Sequence, residues 1–147
     1  MKVVLQRVTS ASCTVDDVIT GQIEDGYCLF VGIGPGDTEA VCDKMAAKIV
    51  KLRLFSDEAG KMNRSVTDIH GAILSISQFT LYADWKKGSR PGFSGAAKPE
   101  LAQKLWLYFN SVLAHTVEVE TGIFGADMKI ALVNDGPVTL ELEMEEA

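Results

Sequence analysis

Short apolar runs separated by polar pairs and glycines set the rhythm of the first third of the chain. Val3 to Val8, Ala11 to Val15 and Val18 to Ile23 are β-prone, and Asp16-Asp17 between the last two suits a hairpin turn. Asp25-Gly26 is a second such turn. Tyr27 to Ile33 is almost wholly apolar, as a strand buried on both faces would be. Gly34-Pro35-Gly36-Asp37 ends it, and Val41, Met45, Ile49 and Leu52 then recur at helical spacing, with Asp37 or Thr38 as N-cap. The Gly-Ile-Gly-Pro-Gly run ahead of that helix lacks the third-glycine spacing and the Lys-Ser/Thr ending of a phosphate-binding turn, so none is assigned.

Arg53 to Phe55 and the Glu58-Ala59-Gly60 turn suggest a further hairpin, leading through Asn63 to Asp68 into a strand from Ala72 to Gln78. Between Asp84 and Ala97 apolar periodicity disappears, and a loop of that length in a compact domain is usually functional or mobile. Pro99 suits the first turn of a second helix, predicted to bury Leu101, Leu105, Tyr108 and Val112. Thr116 to Thr121, Met128 to Val133 and Val138 to Leu142 read as closing strands. With no repeat and no linker, the pattern predicts one domain, residues 1–147, of mixed α/β class: curved, packed β-sheets covered by two main helices.

Composition narrows the picture. A chain of 147 residues can bury about two thirds of its unfolded surface and needs no disulfide. Cys13, Cys28 and Cys42 are widely spaced, with no Cys-x-x-Cys pair and neither His70 nor His115 close by, so they read as reduced packing residues. No metal and no other cofactor is expected. Met1 to Thr9 carry Lys2 and Arg7 and no long apolar run, so neither signal peptide nor membrane span is expected and the chain reads as cytoplasmic. A net charge of −6 argues against a nucleic-acid partner, because affinity for phosphates comes from Lys and Arg. The charge is unevenly spread, however. Glu141, Glu143, Glu145 and Glu146 crowd the end, while Lys86, Lys87, Arg90 and Lys98 collect in the central loop, where alone they would read as a solvated surface.

Two segments carry more polar and special-geometry residues than strands need. In Ser77-Gln78-Phe79-Thr80-Leu81 an apolar strand gives way to two hydroxyls and an amide, all of which must find partners. In Asn134-Asp135-Gly136-Pro137-Val138-Thr139 a Gly-Pro step interrupts two β-prone runs, which a central strand does not easily tolerate. Either segment alone reads as a turn. Together they resemble the two signature motifs of the D-aminoacyl-tRNA deacylase family. Gln6-Arg7-Val8, Phe55-Ser56-Asp57, Gly60-Lys61-Met62-Asn63, Gly88 to Phe93 around Arg90-Pro91, and Phe124-Gly125-Ala126 with Met128 also look like family features in family order. The resemblance covers nearly the whole chain. It departs at Gly92, where a serine is expected before Phe93, and at Ser89, where a basic residue is common.

The resemblance implies a deacylase-like fold and a homodimer, with tRNA as partner and the aminoacyl ester at its 3′ end as substrate. It also implies a cis Gly136-Pro137 bond, reaching from one subunit into the pocket of the other, with Arg7 helping to orient it. Such a main-chain wedge tolerates a D side chain, which points away, and excludes an L side chain by clash. Achiral glycine escapes that test, so glycyl-tRNA is an expected side substrate. Main-chain N–H groups of Phe79 and Thr80 are the expected oxyanion donors, with Ser77 and Gln78 fixing their turn. Phe124 and Met128 are expected to line the adenosine side. Thr80 is a candidate nucleophile without a visible base, and His70 and His115 read as structural, so assistance by the ribose 2′-hydroxyl is preferred. Two rivals remain. A noncatalytic RNA-binding module would use Trp85, Phe93 and the basic loop, and a small-molecule esterase would need no RNA.

Overall fold

The computed structural model describes residues 1–146. A strand β1, Lys2–Val15, forms the spine of a six-stranded sheet, and one of its edges is shared by two neighbours. Its second half pairs antiparallel with β2, Val18–Ile23, across the Asp16-Asp17 turn, and its first half with β3, Gly26–Gly32. Asp16 and Asp17 both hold positive φ, 48° and 65°, which is the two-residue turn whose twist matches its strands. Helix α1, Glu39–Lys51, starts from Thr38, whose hydroxyl accepts from the Val41 N–H. The small hairpin β4, Phe55–Ser56, and β5, Met62–Arg64, leads to β6, Ala72–Ser77, which pairs parallel with β3. A short 3-10 helix, Phe79–Tyr82, and helix α2, Pro99–Leu113, follow. Strand β7, Glu118–Thr121, then extends the sheet beside β6, and β8, Lys129–Glu143, runs antiparallel to β1.

Side-chain parity divides this sheet between two cores. Tyr27, Leu29, Val31 and Ile73 point to one face, where they meet Val41, Met45 and Ile49 of α1 and Leu105, Trp106 and Phe109 of α2. Cys28, Leu74 and Ile76 point to the other, where the curling strands bring Val8, Ala11, Cys13 and Ile23 over them. The curl nearly closes: the Thr20 hydroxyl of β2 donates to the Thr121 carbonyl of β7 at 3.2 Å. Layers of strand, strand and helix result, the α/β class read from the pattern.

Three expectations need correction. The runs Val3–Val8 and Ala11–Val15 are one strand, because Ser10 between them pairs with Val133 of β8 and Thr9 is taken up by an irregularity of register. Helix α2 buries Ala102, Leu105, Trp106, Phe109 and Leu113, while Leu101, Tyr108 and Val112 are only half-buried. Two large rings decide which face turns inward. The Trp106 indole N–H donates to the buried Ser75 hydroxyl at 3.0 Å, which pins that choice. Finally, the expected strands Met128–Val133, from Lys129 onward, and Val138–Leu142 belong to the single strand β8, with the Gly-Pro step accommodated as a bulge. No helix among the described residues is long and apolar enough to cross a membrane.

Candidate active site

The bulge in β8 takes its shape from β1. Gln6 pairs with Thr139 and Val8 with Asn134, so Arg7 alone stands opposite Asp135, Gly136, Pro137 and Val138. The Asn134 side chain closes the base of this loop: its carbonyl accepts from the Val138 N–H at 3.0 Å and its amide donates to the Thr139 hydroxyl at 2.8 Å. Arg7, only 9% exposed, donates from Nε to the Asp135 carbonyl at 3.1 Å and from Nη1 to the Leu54 carbonyl at 2.6 Å. The Asp135 carboxylate lies 3.6 Å from the same guanidinium. Gly136 has φ +128°, and the Gly136-Pro137 bond is cis. Asp135, Gly136 and Pro137 are exposed, held from beneath and open above.

The second motif closes one end of β6. After Ser77 the Gln78 N–H donates to the Val31 carbonyl at 2.7 Å, and the chain turns into the 3-10 helix. The first N–H groups of a helix have no carbonyl within it to bond, and here those are the N–H groups of Phe79 and Thr80. The Gln78 side-chain amide donates to the Thr80 hydroxyl, tying the turn across its opening. Neither His70 nor His115 lies here. His70 sits in a turn with φ +54°, and His115 follows α2 on the surface.

Beside this turn opens a cavity of about 570 Å³, lined by Ile76, Ser77, Gln78 and Phe79, by Phe93, Ala96 and Ala97, and by Phe124 to Met128. Its walls are mostly apolar, with polar side chains from Ser77 and Gln78 at the 3-10 helix end and from Asp127 on the Phe124–Met128 segment. Phe93 meets Phe79 edge-on, with ring centres 5.1 Å apart, and Phe124 rests on Trp106 at 6.0 Å. Met128 is brought in by the absence of a side chain elsewhere: a Cβ on the buried Gly122 would lie 2.4 Å from the Met128 sulfur. A larger depression, about 770 Å³, lies over β1, β2 and β8 with His70 on its rim. It is more open and holds neither motif, so the smaller cavity is the better candidate.

Sequence-based residues therefore fall into two groups. Ser77, Gln78, Phe79, Phe124 and Met128 converge on the cavity and Thr80 follows Phe79 in the turn beside it, whereas exposed Gly136 and Pro137, braced by buried Arg7, stand apart and line no part of it. Ala96, Ala97 and Asp127 line the cavity without having been singled out, and Gly122 has a packing role that nothing in its sequence neighbourhood announced. Burial pushes the thiols of Cys28 and Cys42 up to about 12, so neither supplies a thiolate near neutral pH. Among the described residues there is no group of three side chains suited to a metal.

The family model for D-Tyr-tRNA(Tyr) deacylase matches residues 4–143, which include both motifs. The chain belongs to that family. Membership makes it a hydrolase acting on an ester bond, that of a D-aminoacyl-tRNA. Among solved structures it is similar to one described as c-Myc DNA unwinding element binding protein, with 41% identity, TM-score 0.93, and coverage of 99% of this chain and 100% of that one. It also shares the fold of a probable eukaryotic D-amino acid tRNA deacylase, at TM-score 0.87 and 13% identity over 97% of this chain and 98% of the other.

Proposed function

We propose that this deacylase works as a homodimer in which each cavity is completed by the exposed Gly136-Pro137 loop of the partner subunit. The observation that carries the reading is the separation just described: one chain holds a cavity beside the first N–H groups of the 3-10 helix and, apart from it, an exposed loop rigidly mounted on Arg7. A loop so braced yet covering nothing of its own suits a task on another molecule.

In this reading the terminal adenosine lies against Phe124 and Met128, and the ester carbonyl points at the N–H groups of Phe79 and Thr80. As water, activated with help from the ribose 2′-hydroxyl, adds to the ester carbonyl, charge gathers on the carbonyl oxygen, where those fixed dipoles stabilise it; collapse then breaks the bond to the ribose oxygen, which leaves as a hydroxyl with the proton the water gave up. Ser77 and Gln78 hold the turn that aims them. The partner's Gly136 and Pro137 face the α-carbon, with main-chain carbonyls able to accept from the substrate ammonium and no N–H on proline to oppose it. A D side chain leaves the pocket freely. An L side chain in the same pose strikes the partner's main chain. Glycine has nothing to strike, so glycyl-tRNA is cleaved as well. The work would take place in the cytoplasm, where charged tRNA is used.

Thr80 is not the nucleophile in this reading, because its hydroxyl accepts from Gln78 and no histidine is beside it to take its proton. Incubation with D-Tyr-tRNA, L-Tyr-tRNA and Gly-tRNA should remove the first and third esters and leave the second. Thr80→Ala should stay within about tenfold of wild type in single turnover, whereas losing a true nucleophile costs on the order of a millionfold in a protease. A rate at background with substrate still bound would replace this reading with a covalent mechanism.

A second reading draws on the 41% identical relative, whose name describes binding to a DNA element. It would make the chain a nucleic-acid binder without turnover. The same incubation separates the two, since a binder leaves all three esters intact.

A further inference from the structure

We propose that the arch from Trp85 to Arg90, on the rim of the cavity, is a second contact for tRNA. It would grip phosphates and an unpaired base of the 3′ tail beyond the terminal adenosine. The inference rests on the deacylase reading of the cavity and extends it from the ester to the body of the substrate.

The arch is built, not merely loose. Asp84 and Gly92 close its base with a reciprocal pair of main-chain bonds, 2.7 and 2.8 Å. The Asp84 carboxylate accepts from the Lys86 N–H at 3.2 Å, and Gly88 turns the tip with φ +68°. On leaving the arch the chain enters the cavity wall at Phe93, whose ring meets Phe79, and is anchored where the Ala97 N–H donates to the Ile33 carbonyl at 2.9 Å. The base of the arch is therefore fixed beside the cavity wall.

Its chemistry is opposite to that of the protein as a whole. The chain carries a net −6, yet from Trp85 to Lys98 there are four cations, Lys86, Lys87, Arg90 and Lys98, and no acid. None of the four is in an ion pair among the described residues. Three of them stand on the exposed arch next to Trp85, which is 72% exposed and so offers an indole face to solvent. Cations in a row beside an unpartnered aromatic ring match a single strand of RNA, with phosphates for the charges and a base to stack. The acidic balance of the whole chain sharpens the effect, because a net negative protein draws a polyanion only where cations gather.

The test is the salt dependence of binding to uncharged tRNA, followed by filter retention between about 50 and 200 mM salt. Lys86→Ala, Lys87→Ala and Arg90→Ala together should flatten the slope of log Kd against log salt by about 2, from about 0.7 per lost phosphate contact on a single strand. Trp85→Ala should weaken binding about tenfold and leave the slope unchanged. Hydrolysis of 3′-D-tyrosyl-adenosine, which has no phosphate to grip, should proceed at the wild-type rate in both variants. A triple variant with the wild-type slope, or one equally slowed on the adenosine ester, overturns the proposal. If the wild-type protein leaves that ester intact, the deacylase reading fails, while the binding slopes still decide the role of the arch.

Discussion

Phe79→Pro is expected to slow single-turnover cleavage of D-Tyr-tRNA by about 100- to 1,000-fold, the usual loss when one oxyanion donor is removed. The substitution deletes an N–H and little else of the backbone. Position 79 is the first residue of the 3-10 helix, where proline's fixed φ is tolerated, and Gln78 before it has φ −144°, outside the helical region that proline disfavours. The removed ring matters separately, since Phe79 is 56% exposed and pairs with Phe93. Phe79→Ala removes the ring but keeps the donor. It should raise KM several-fold and leave kcat close to wild type. Rapid-quench assays at saturating enzyme distinguish the two variants; equal losses in both would assign the effect to the ring and remove the main-chain donor from the mechanism.

Gly136→Ala is expected to lower the same rate about 100-fold, the scale that a displacement of about 1 Å brings to a positioned site. At φ +128° an L side chain is strained, which costs about 1–3 kcal/mol. The new Cβ would also lie 2.9 Å from Val138 Cγ2 and 3.1 Å from Arg7 Nη2. Arg7 cannot retreat without releasing the carbonyls of Asp135 and Leu54. The loop must move instead. The melting temperature should fall by roughly 5 °C, and the ratio of D- to L-Tyr-tRNA cleavage should narrow as the wedge is displaced. An unaltered ratio in a folded variant would mean that chirality is read elsewhere.

How far the sequence led depended on which force dominated each element. The apolar run of β3 and the stripe of α1 were legible because burial alone decides them, and Val41, Met45 and Ile49 indeed meet the sheet. In helix α2 Leu105 was read correctly, but the centre of the buried stripe lies to one side of the residues expected with it. Helical spacing favoured Leu101 and Tyr108, but Trp106 and Phe109 have more area to hide and Ser75 offers the indole a partner. The Gly-Pro step looked like the end of a strand, since proline cannot join a ladder. In the fold β8 continues past it, with four residues bulged opposite Arg7. That pairing is between residues far apart in sequence and no local pattern contains it. The same holds for the candidate site. Ser77 to Thr80 and Asn134 to Thr139 stood out by their polar and special-geometry residues but gained a role only through resemblance to a family, and residues such as Gly122, which make room for Met128, became visible only in three dimensions.

The claim on which the mechanism depends is that cavity and wedge come from different chains, and mixed dimers test it directly. Phe79→Pro spoils only the cavity and Gly136→Ala only the wedge. Coexpression of the two chains with different tags allows the heterodimer to be isolated. In a two-fold dimer with shared sites, one site then collects both defects and the other collects none, so the heterodimer should recover about half the wild-type rate on D-Tyr-tRNA. A heterodimer as inactive as its two parents would contradict the account, because it would mean that each chain completes its own site.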